Sequence, residues 1–248
     1  MKTKSYQPRT YRTICQHGQL VNFNVMVKES DLLIRATRDL SKEALEILQR
    51  FRNEIDNYIV TDQNFLNSLV PIEVPKSAPE TIKAMARSST RFGVGPMAAV
   101  AGAIAEGVAK HLNQYSPDVI VENGGDIYII SNQPTTVGIF AGNSPLSMKF
   151  GIGLTSQPKA VSVCTSSGTV GHSLSFGKAD AVTIIAQNGC FADAAATAVG
   201  NIVKTENDIE SALEFVRNKS EIIGAIVIIN DKIGITGKSI KLVNLTDD

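Results

Sequence analysis

The sequence predicts an α+β fold in which mainly antiparallel sheets pack with helices. Strand-like segments are joined by tight turns, and helices occur in pairs between them instead of alternating strictly with single strands. No G-x-G-x-x-G motif follows a strand, and Gly93-Val-Gly95-Pro96 has proline where a backbone amide would face a phosphate. A Rossmann domain is therefore disfavoured.

Length and charge narrow the class of protein. The 248 residues are enough for one domain over residues 1–248 or for two closely packed lobes, and one domain is favoured. Lys plus Arg number 24 against 24 Asp plus Glu, so no net charge attracts the chain to nucleic acid or to anionic lipid. The polar N-terminus and the lack of an apolar run of ~18 residues predict a cytoplasmic protein without a membrane partner.

Apolar periodicity assigns the elements of the N-terminal third. Alternating apolar and polar residues predict a β-hairpin over residues 20–36. Apolar residues at helical spacing predict a helix over residues 41–58, with Ser41 as its capping residue. A proline-rich extended segment follows, and the capping-box spacing of Ser77 and Glu80 predicts the start of the next helix.

Two segments, 96–112 and 188–201, have helical length and consist mostly of small residues. Their alanine and glycine surfaces allow another backbone or a flat ligand to approach closely, although each interior glycine costs roughly 1 kcal/mol relative to alanine. The alternative is tight packing of each helix on a sheet, with no ligand involved.

Within the second of these helices, Asp193 and Thr197 stand four residues apart and therefore share one helical face. A carboxylate and a hydroxyl suit a hard divalent cation such as Mg²⁺, which takes its remaining ligands from water and phosphate. The alternative is a solvated acid beside a threonine that bonds back to its own helix.

A diglycine turn lies between two predicted strands, 119–123 and 127–130. Gly124 and Gly125, followed by Asp126, permit the positive φ angles of a tight turn.

The segment from Ser162 to Ser173 is predicted to form a polar loop between a preceding strand and a strand over residues 181–186. It contains several hydroxyl side chains, two glycines and His172, one of only three histidines. Glycine backbone and hydroxyl donors of this kind build phosphate-binding nests. The alternative is a surface turn without a ligand.

The C-terminal part is predicted to form one more helix and a meander. Thr205 to Asp208 has the spacing of a helix start that leads into residues 209–217. Strands over residues 222–229, 232–236 and 240–245 are then expected to pair consecutively as an antiparallel meander.

Several of these motifs resemble, in the same order, those of ApbE-like flavin transferases. The resemblance covers roughly residues 92–201, and its motifs are Gly102-Ala-Ile-Ala-Glu-Gly107, Val121-Glu-Asn-Gly-Gly-Asp-Ile127, Thr165-Ser-Ser-Gly168 with His172, Val182 to Ala186, and Ala192-Asp-Ala-Ala-Ala-Thr197. Upstream segments are similar to the uncharacterised protein family 0280 branch of that superfamily; they are Tyr11-Arg12, Thr37 to Arg52 and Phe65 to Pro71.

The resemblance implies an ApbE-like architecture that binds FAD with Mg²⁺ at the pyrophosphate, and enzymes of this type transfer FMN to a protein threonine or hydrolyse FAD. It implies that His172 is the catalytic base, and that Asp193 and Thr197 bind the metal beside a carbonyl of residues 101–103. The residues that would contact the flavin, nucleotide or phosphate are Gly124, Gly125, Asp126, Thr165, Ser166, Ser167, Gly168 and Thr169.

Two departures from the family pattern keep the function open. Ser175 stands where the family has an aspartate, and Glu106 replaces a lysine, so Asp180 and Lys178 are the candidates to substitute. The first hypothesis is a protein that binds FAD or a related dinucleotide with Mg²⁺. The alternatives are an active Mg²⁺-dependent FMN transferase or FAD pyrophosphatase, and a non-catalytic scaffold or sensor. Small-residue helices and sheet edges also leave a homodimer open.

Overall fold

The computed structural model describes residues 20–154, 160–169, 175–237 and 240–245, and the backbone of 15–16. The strands in these ranges are β1 (Cys15–Gln16), β2 (Val21–Val27), β3 (Ser30–Ala36), β4 (Val119–Asn123), β5 (Asp126–Ile130), β6 (Thr135–Gly138), β7 (Phe150–Leu154), β8 (Val161–Ser166), β9 (Ala181–Ala186), β10 (Ile222–Ile229), β11 (Lys232–Thr236) and β12 (Lys241–Asn244). The α-helices are α1 (Ser41–Thr61), α2 (Gln63–Asn67), α3 (Glu80–Phe92), α4 (Val100–Leu112), α5 (Gly189–Ile202) and α6 (Ile209–Arg217).

The strands form two sheets. The larger sheet has eight strands in the order β11-β10-β9-β8-β5-β4-β3-β2, and the smaller has four in the order β1-β6-β7-β12. Every strand pair in the described part of the chain is antiparallel. The predicted α+β class with mainly antiparallel sheets is therefore confirmed.

The eight-stranded sheet is covered on both faces, as the alternation of its buried side chains shows. On β4, Val119 and Val121 pack into the core shared with the helices, whereas Ile120 packs into the core shared with the small sheet. The same alternation on β9 directs Ile184 to the helices and Ile185 to the small sheet. The molecule thus has three layers, with helices, a large sheet and a small sheet in that order.

The C-terminal meander was predicted incorrectly in its third strand. β10 and β11 pair as expected, but β12 pairs with β7 in the small sheet. Local alternation identifies a strand but does not identify its partner, because the partner is decided by which sheet has an open edge.

The polar loop was also placed incorrectly at its start, because Ser162 to Ser166 belong to β8. Polar side chains in this strand are compatible with pairing because Thr165 faces Thr183 of β9, with 2.9 Å between the two hydroxyl oxygens. Only the part that follows Ser166 leaves the sheet.

Two of the three predicted helix starts differ from the structure. Ser41 is the first residue of α1 and donates its N–H to Asp39 Oδ1 at 2.8 Å, instead of capping with its own hydroxyl. Pro79 precedes α3, and no side chain caps that helix, so the predicted box of Ser77 and Glu80 does not form. The third start is correct, since Thr205 and Asp208 form a capping box.

Among the described residues, no single helix has the length and apolar character needed to cross a membrane. α3 and the helical segment 96–112 pass the same test only when taken together, and they are bent by 104° at the break between them.

Candidate functional site

The two small-residue helices α4 and α5 cross each other through a pair of glycines. A β-carbon on Gly102 would lie 2.2 Å from the carbonyl oxygen of Gly189, and one on Gly189 would lie 2.3 Å from the carbonyl oxygen of Gly102. Only glycine permits this approach at either position. The close packing expected of these helices is therefore packing against each other at the glycines, and it is also packing on the large sheet, where α4 contacts β4 and β5 and α5 contacts β8 and β9.

The same two glycines bind acidic side chains across the crossing. Gly102 of α4 donates its N–H to Asp193 Oδ2 of α5 at 2.9 Å, and Gly189 of α5 donates its N–H to Glu106 Oε2 of α4 at 2.6 Å. Each helix therefore carries a Gly-x-x-x-acid motif, and each motif binds the other. We call the two parts of this arrangement the Glu106 half and the Asp193 half.

The Glu106 half is fully satisfied by protein groups. Glu106 is buried, with 7% of its surface exposed, and its Oε1 accepts a hydrogen bond from Asn188 Nδ2 at 3.2 Å. The same oxygen pairs with the ammonium of Lys110, one helical turn further along α4. Its second oxygen meets the N-terminus of α5 at Gly189, where a negative charge is favoured. The replacement of the family lysine by Glu106 therefore has a structural role.

The Asp193 half contains a second carboxylate in place of a cation. Asp126 lies at the start of β5 with 7% of its surface exposed, and its Oδ1 is buried without a hydrogen-bond partner among the described residues. Burial, and secondarily repulsion from Asp193, raises the pKa of Asp126 well above its usual range. Burial also raises the pKa of Asp193 to about 7, although N–H donors at Gly102 and Ala101 oppose the shift. The ionised pair is therefore costly as it stands.

The diglycine turn places Asp126 beside β8. Gly124 and Gly125 have φ angles of +69° and +102°, so the predicted tight turn with positive φ is correct. A β-carbon on Gly125 would lie 3.8 Å from the carbonyl oxygen of Thr165, and the register pairs Asp126 with Cys164. The Cys164 thiol is buried and lies 3.8 Å from Gly189 O, which connects β8 to the helix crossing.

One face of α5 runs from the helix crossing to the end of β8. Asp193, Thr197 and Gly200 share this face at spacings of four and three residues. Beside Gly200 lie the hydroxyls of Ser166 and Ser175, 3.7 and 3.9 Å from the position that a β-carbon would occupy. Thr197 is half-buried between these two ends.

The polar loop beyond β8 is bound to Asp180. Thr169 Oγ1 donates to Asp180 Oδ1 at 3.1 Å, and Asn230 donates its N–H to Asp180 Oδ2 at 2.7 Å. Gly168 and Thr169 are exposed, and Ser167 Oγ accepts from the N–H of Thr169 at 3.1 Å. Asp180 also lines a groove of about 320 Å³, together with residues 143–145 and 230–231.

The predicted site residues therefore fall into two groups. The structure brings together the Gly124-Gly125-Asp126 turn, the Thr165-Ser166 end of β8 and the Asp193-Thr197 face of α5. Ser167, Gly168 and Thr169 follow directly after this end of β8; Ser167 is half-buried, and Gly168 and Thr169 are exposed. His172 lies outside the described residues. Lys178 is exposed, and Asp180 binds Thr169, which puts both of them at the loop end.

Three contributors to the pocket were not predicted. Glu106 and Asn188 position the N-terminus of α5, and Asn123 donates its side-chain amide to Ala101 O at 3.3 Å. The repeated Gly-x-x-x-acid spacing at Gly102 and Gly189 is the signal that could have indicated the crossing.

Comparison with known proteins places this architecture in a class. The fold is similar to that of a flavin transferase ApbE from Vibrio cholerae, solved as a single-residue mutant, with a TM-score of 0.60 over 90% of this chain and 98% of that one. The sequence identity is 14%, so this likeness establishes the fold alone. The chain has the fold of ApbE proteins.

Sequence relatives identify the family within that class. A UPF0280 protein of Methanocaldococcus jannaschii is 41% identical over 225 residues, which are 88% of this chain and 91% of the relative. A UPF0280 protein of Methanopyrus kandleri is 40% identical over 233 residues, 91% of this chain and 94% of the relative. Residues 12–233 match the family described as AbpE bacteria. The chain belongs to that family and, within it, to the UPF0280 proteins, as its motifs predicted.

Proposed function

We propose that this protein binds FAD or a related dinucleotide, with Mg²⁺ at the pyrophosphate. The observation that carries the proposal is the convergence of the diglycine turn, the hydroxyl-bearing end of β8 and the Asp193 face of α5 on one pocket. The Vibrio cholerae protein of the same fold is named a flavin transferase, which favours a flavin as the ligand.

The residues of the pocket fit a hard cation. Asp126 Oδ1 is a buried carboxylate oxygen without a protein donor among the described residues, and an oxygen of that kind is a ligand that Mg²⁺ prefers. Thr197 Oγ1 likewise makes no hydrogen bond in the described part of the chain, whereas Thr90 on α3 donates to Ala86 O at 3.0 Å. Asp193, Thr197 and a carbonyl of residues 101–103 would hold the ion.

The nucleotide would lie between the turn and the end of β8. Gly125 has no side chain to occlude the backbone near Thr165, and the hydroxyls of Ser166 and Ser175 are directed to the same end of α5. Hydroxyl and amide donors from Ser167, Gly168 and Thr169 would bind phosphate oxygens at the exposed end, as in backbone nests. The Asp126 side chain would orient the part of the nucleotide that lies against the diglycine turn.

Catalysis is the second part of the proposal. A bound Mg²⁺ would neutralise pyrophosphate charge and so weaken the bond to be cleaved. His172 would accept the proton of an attacking hydroxyl or water, because an ordinary imidazole with a pKa of ~6.5 is mainly neutral at pH 7. A protein threonine as the attacking group gives an FMN–threonine phosphoester and releases AMP, and water gives FMN and AMP. A scaffold or sensor would retain binding and lack both activities.

Ligand binding is tested with the full chain, FAD and Mg²⁺. We expect quenching of flavin fluorescence and an increase in melting temperature that needs both ligands. Asp193→Asn should lose the increase, while Glu46→Gln, on the exposed face of α1, should keep it. A wild-type protein that does not respond to FAD plus Mg²⁺ contradicts the proposal.

Activity is tested separately by AMP release from FAD with and without a threonine-containing acceptor protein. We expect His172→Ala to abolish release while FAD binding persists. Binding without release in the wild type favours the scaffold or sensor. The single domain, the cytoplasmic location and the homodimer stay predictions.

A further inference from the structure

We propose that β2 is a dimer interface, at which a second copy of this chain pairs its own β2 antiparallel about a two-fold axis. The inference goes beyond the proposed function, because it concerns an edge of the large sheet and involves neither FAD nor Mg²⁺. It predicts one continuous sheet that runs through both copies.

β2 is one of the two edge strands of the large sheet. All seven of its residues, Val21 to Val27, pair with β3 on one side, and no strand of the described ranges pairs with its other side. Such an edge presents a row of backbone N–H and C=O groups that another strand can bind. The element that fits this edge is therefore another β-strand.

β2 lacks the features that normally prevent pairing at a sheet edge. Its sequence, Val-Asn-Phe-Asn-Val-Met-Val, contains no charged residue, proline or glycine, and its seven pairs with β3 are consecutive, without a bulge. The opposite edge strand, β11, has five residues that include Lys232 and Gly234. The edges of the small sheet are β1, with two residues, and β12, with four. Of the edge strands in the described part of the chain, β2 is the longest and carries no charge.

The hairpin turn decides which backbone groups of β2 face outward. Val27 of β2 pairs with Ser30 of β3 across a two-residue turn, so this pair is hydrogen-bonded, and hydrogen-bonded pairs alternate along the strand. The N–H and C=O groups of Asn22, Asn24 and Met26 therefore point away from β3. The side chains of these three residues are exposed.

The outward groups are self-complementary. When Asn24 of the two copies face each other across the axis, Asn22 of each copy faces Met26 of the other. Both residues of every such pair have outward N–H and C=O groups, so each pair can exchange two hydrogen bonds. Between these pairs, Phe23 lies opposite Val25, and both belong to the core under the helices. The pairing therefore extends an apolar face that each copy already has.

Exposure and charge also favour a second copy as the partner. Val21 and Met26 are large apolar residues with 43% and 65% of their surfaces exposed, and strand pairing would cover part of both. In the same register, Val21 lies opposite Val27, and Lys28 at the turn lies opposite Leu20, so no two like charges meet. An identical chain always supplies this matching pattern, as a two-fold interface requires.

The interface leaves the candidate site accessible. β2 lies three strand positions from β5, which at ~4.8 Å per strand is roughly 14 Å. Each copy would keep its own pocket, so we expect ligand binding and dimer formation to be independent of each other.

The test is sedimentation velocity of the full chain over a range of concentrations, without nucleotide. We expect a dimer in the wild type. Asn24→Pro should raise the dissociation constant of the dimer about tenfold or more, because proline removes both N–H donors of the central pair and no bond to β3. Asn24→Lys and Asn24→Asp should each do the same, since two like charges then face each other across the axis. An equal mixture of Asn24→Lys with Asn24→Asp should form a heterodimer at least as tight as the wild-type dimer.

Ile235→Lys is the matched control, because Ile235 is 40% exposed on β11, at the opposite edge of the same sheet. It should leave the dimer intact, and loss of the dimer there overturns the proposal. A monomeric wild type, a dimer that survives Asn24→Lys, or a charge-swapped mixture that stays monomeric overturns it as well. If Asn24→Pro does not fold by circular dichroism, the two charge variants decide, since Asn24 is exposed. A dimer that forms as expected in a protein that never binds FAD contradicts only the proposed nucleotide function.

Discussion

The two halves of the α4–α5 crossing share a backbone arrangement and differ in the charge that their acids meet. Glu106 accepts two protein N–H donors and pairs with Lys110. Asp193 accepts the N–H groups of Gly102 and Ala101, has Thr197 at the position that corresponds to Lys110, and lies beside the second carboxylate of Asp126.

This difference separates an acid that stabilises the fold from an acid that has no basic partner among the described residues. A buried carboxylate whose donors are all supplied by the protein contributes to stability and has no capacity left for binding. A buried pair without a counter-charge lowers stability until a cation or proton joins it. Changes on the two sides should therefore have effects of opposite sign.

The largest effect is expected for Glu106→Ala. The change leaves the buried Gly189 N–H without its acceptor and removes an acceptor of the half-buried Asn188 amide, so we expect a loss of about 3 kcal/mol in the free energy of unfolding. Urea denaturation measures it. Glu46→Ala, on the exposed face of α1, should leave the midpoint unchanged. A Glu106→Ala protein as stable as the wild type would mean that the two halves do not differ as described.

A smaller loss is expected for Gly102→Ala, which disturbs both halves at once. The added β-carbon would lie 2.2 Å from a backbone oxygen that cannot rotate away. The cost of this overpacking exceeds the gain in helix propensity, so we expect a net loss of about 2 kcal/mol in the free energy of unfolding. Gly107→Ala on the same helix meets the outer end of the Phe51 ring, which can move. Urea denaturation of both variants should give the smaller loss for Gly107→Ala, and an equal loss would contradict the backbone clash.

Asp180→Asn should lower the free energy of unfolding by about 1–2 kcal/mol. The amide that replaces the carboxylate cannot accept both of the hydrogen bonds that Thr169 and Asn230 donate to Asp180. Thr169→Val removes only one of them and should cost about half as much. Thermal unfolding measures the loss of stability in both variants. A loss in Thr169→Val that equals or exceeds the loss in Asp180→Asn would contradict the central role of Asp180 in these hydrogen bonds.

Asp126→Asn should raise stability in cation-free buffer by about 1 kcal/mol, since it removes a buried group that is costly to ionise and lies beside Asp193. Urea denaturation in the presence of a chelator measures the change. A loss instead of a gain would place Asp126 with Glu106 among the structural acids.

The smallest effect is expected at the surface, where Glu221 pairs with Arg91 through bonds of 2.6 and 3.0 Å. The Arg91 guanidinium lowers the pKa of Glu221 from 4.5 to about 2. The pair therefore contributes above pH 4.5, and its contribution disappears as the pH falls toward about 2. Glu221→Gln should lower the melting temperature at pH 7 by about 2 °C or less, and this difference should vanish at low pH.

Local signals in the sequence predicted most of the elements. Alternation identified the hairpin of β2 and β3, and two adjacent glycines identified the turn before Asp126. Long-range choices were not predictable in this way. β12 pairs with β7 because an edge of the small sheet is open to it, and Ser162 to Ser166 form a strand because Thr165 has a partner on β9.

The candidate site shows the same limit of local patterns. The spacing of Asp193 and Thr197 indicated a shared helical face, and the family motifs indicated which turns accompany it. Glu106 was identified only as a departure from the family lysine, because the spacing within α4 does not reveal that its carboxylate meets Gly189 on α5. The position of its donors depends on how two helices cross, which no single segment encodes.

The glycine crossing also restricts how a ligand can enter. The amides of Gly102 and Gly189 are covered by the opposite helix, so their hydrogen exchange with solvent requires the helices to separate. Separation of α4 from α5 would also move Asp193 away from its neighbours. A ligand that entered between the helices would therefore disrupt its own proposed binding site. The proposed nucleotide would then enter at the exposed end, past Gly168 and Thr169, with the helix pair behind it.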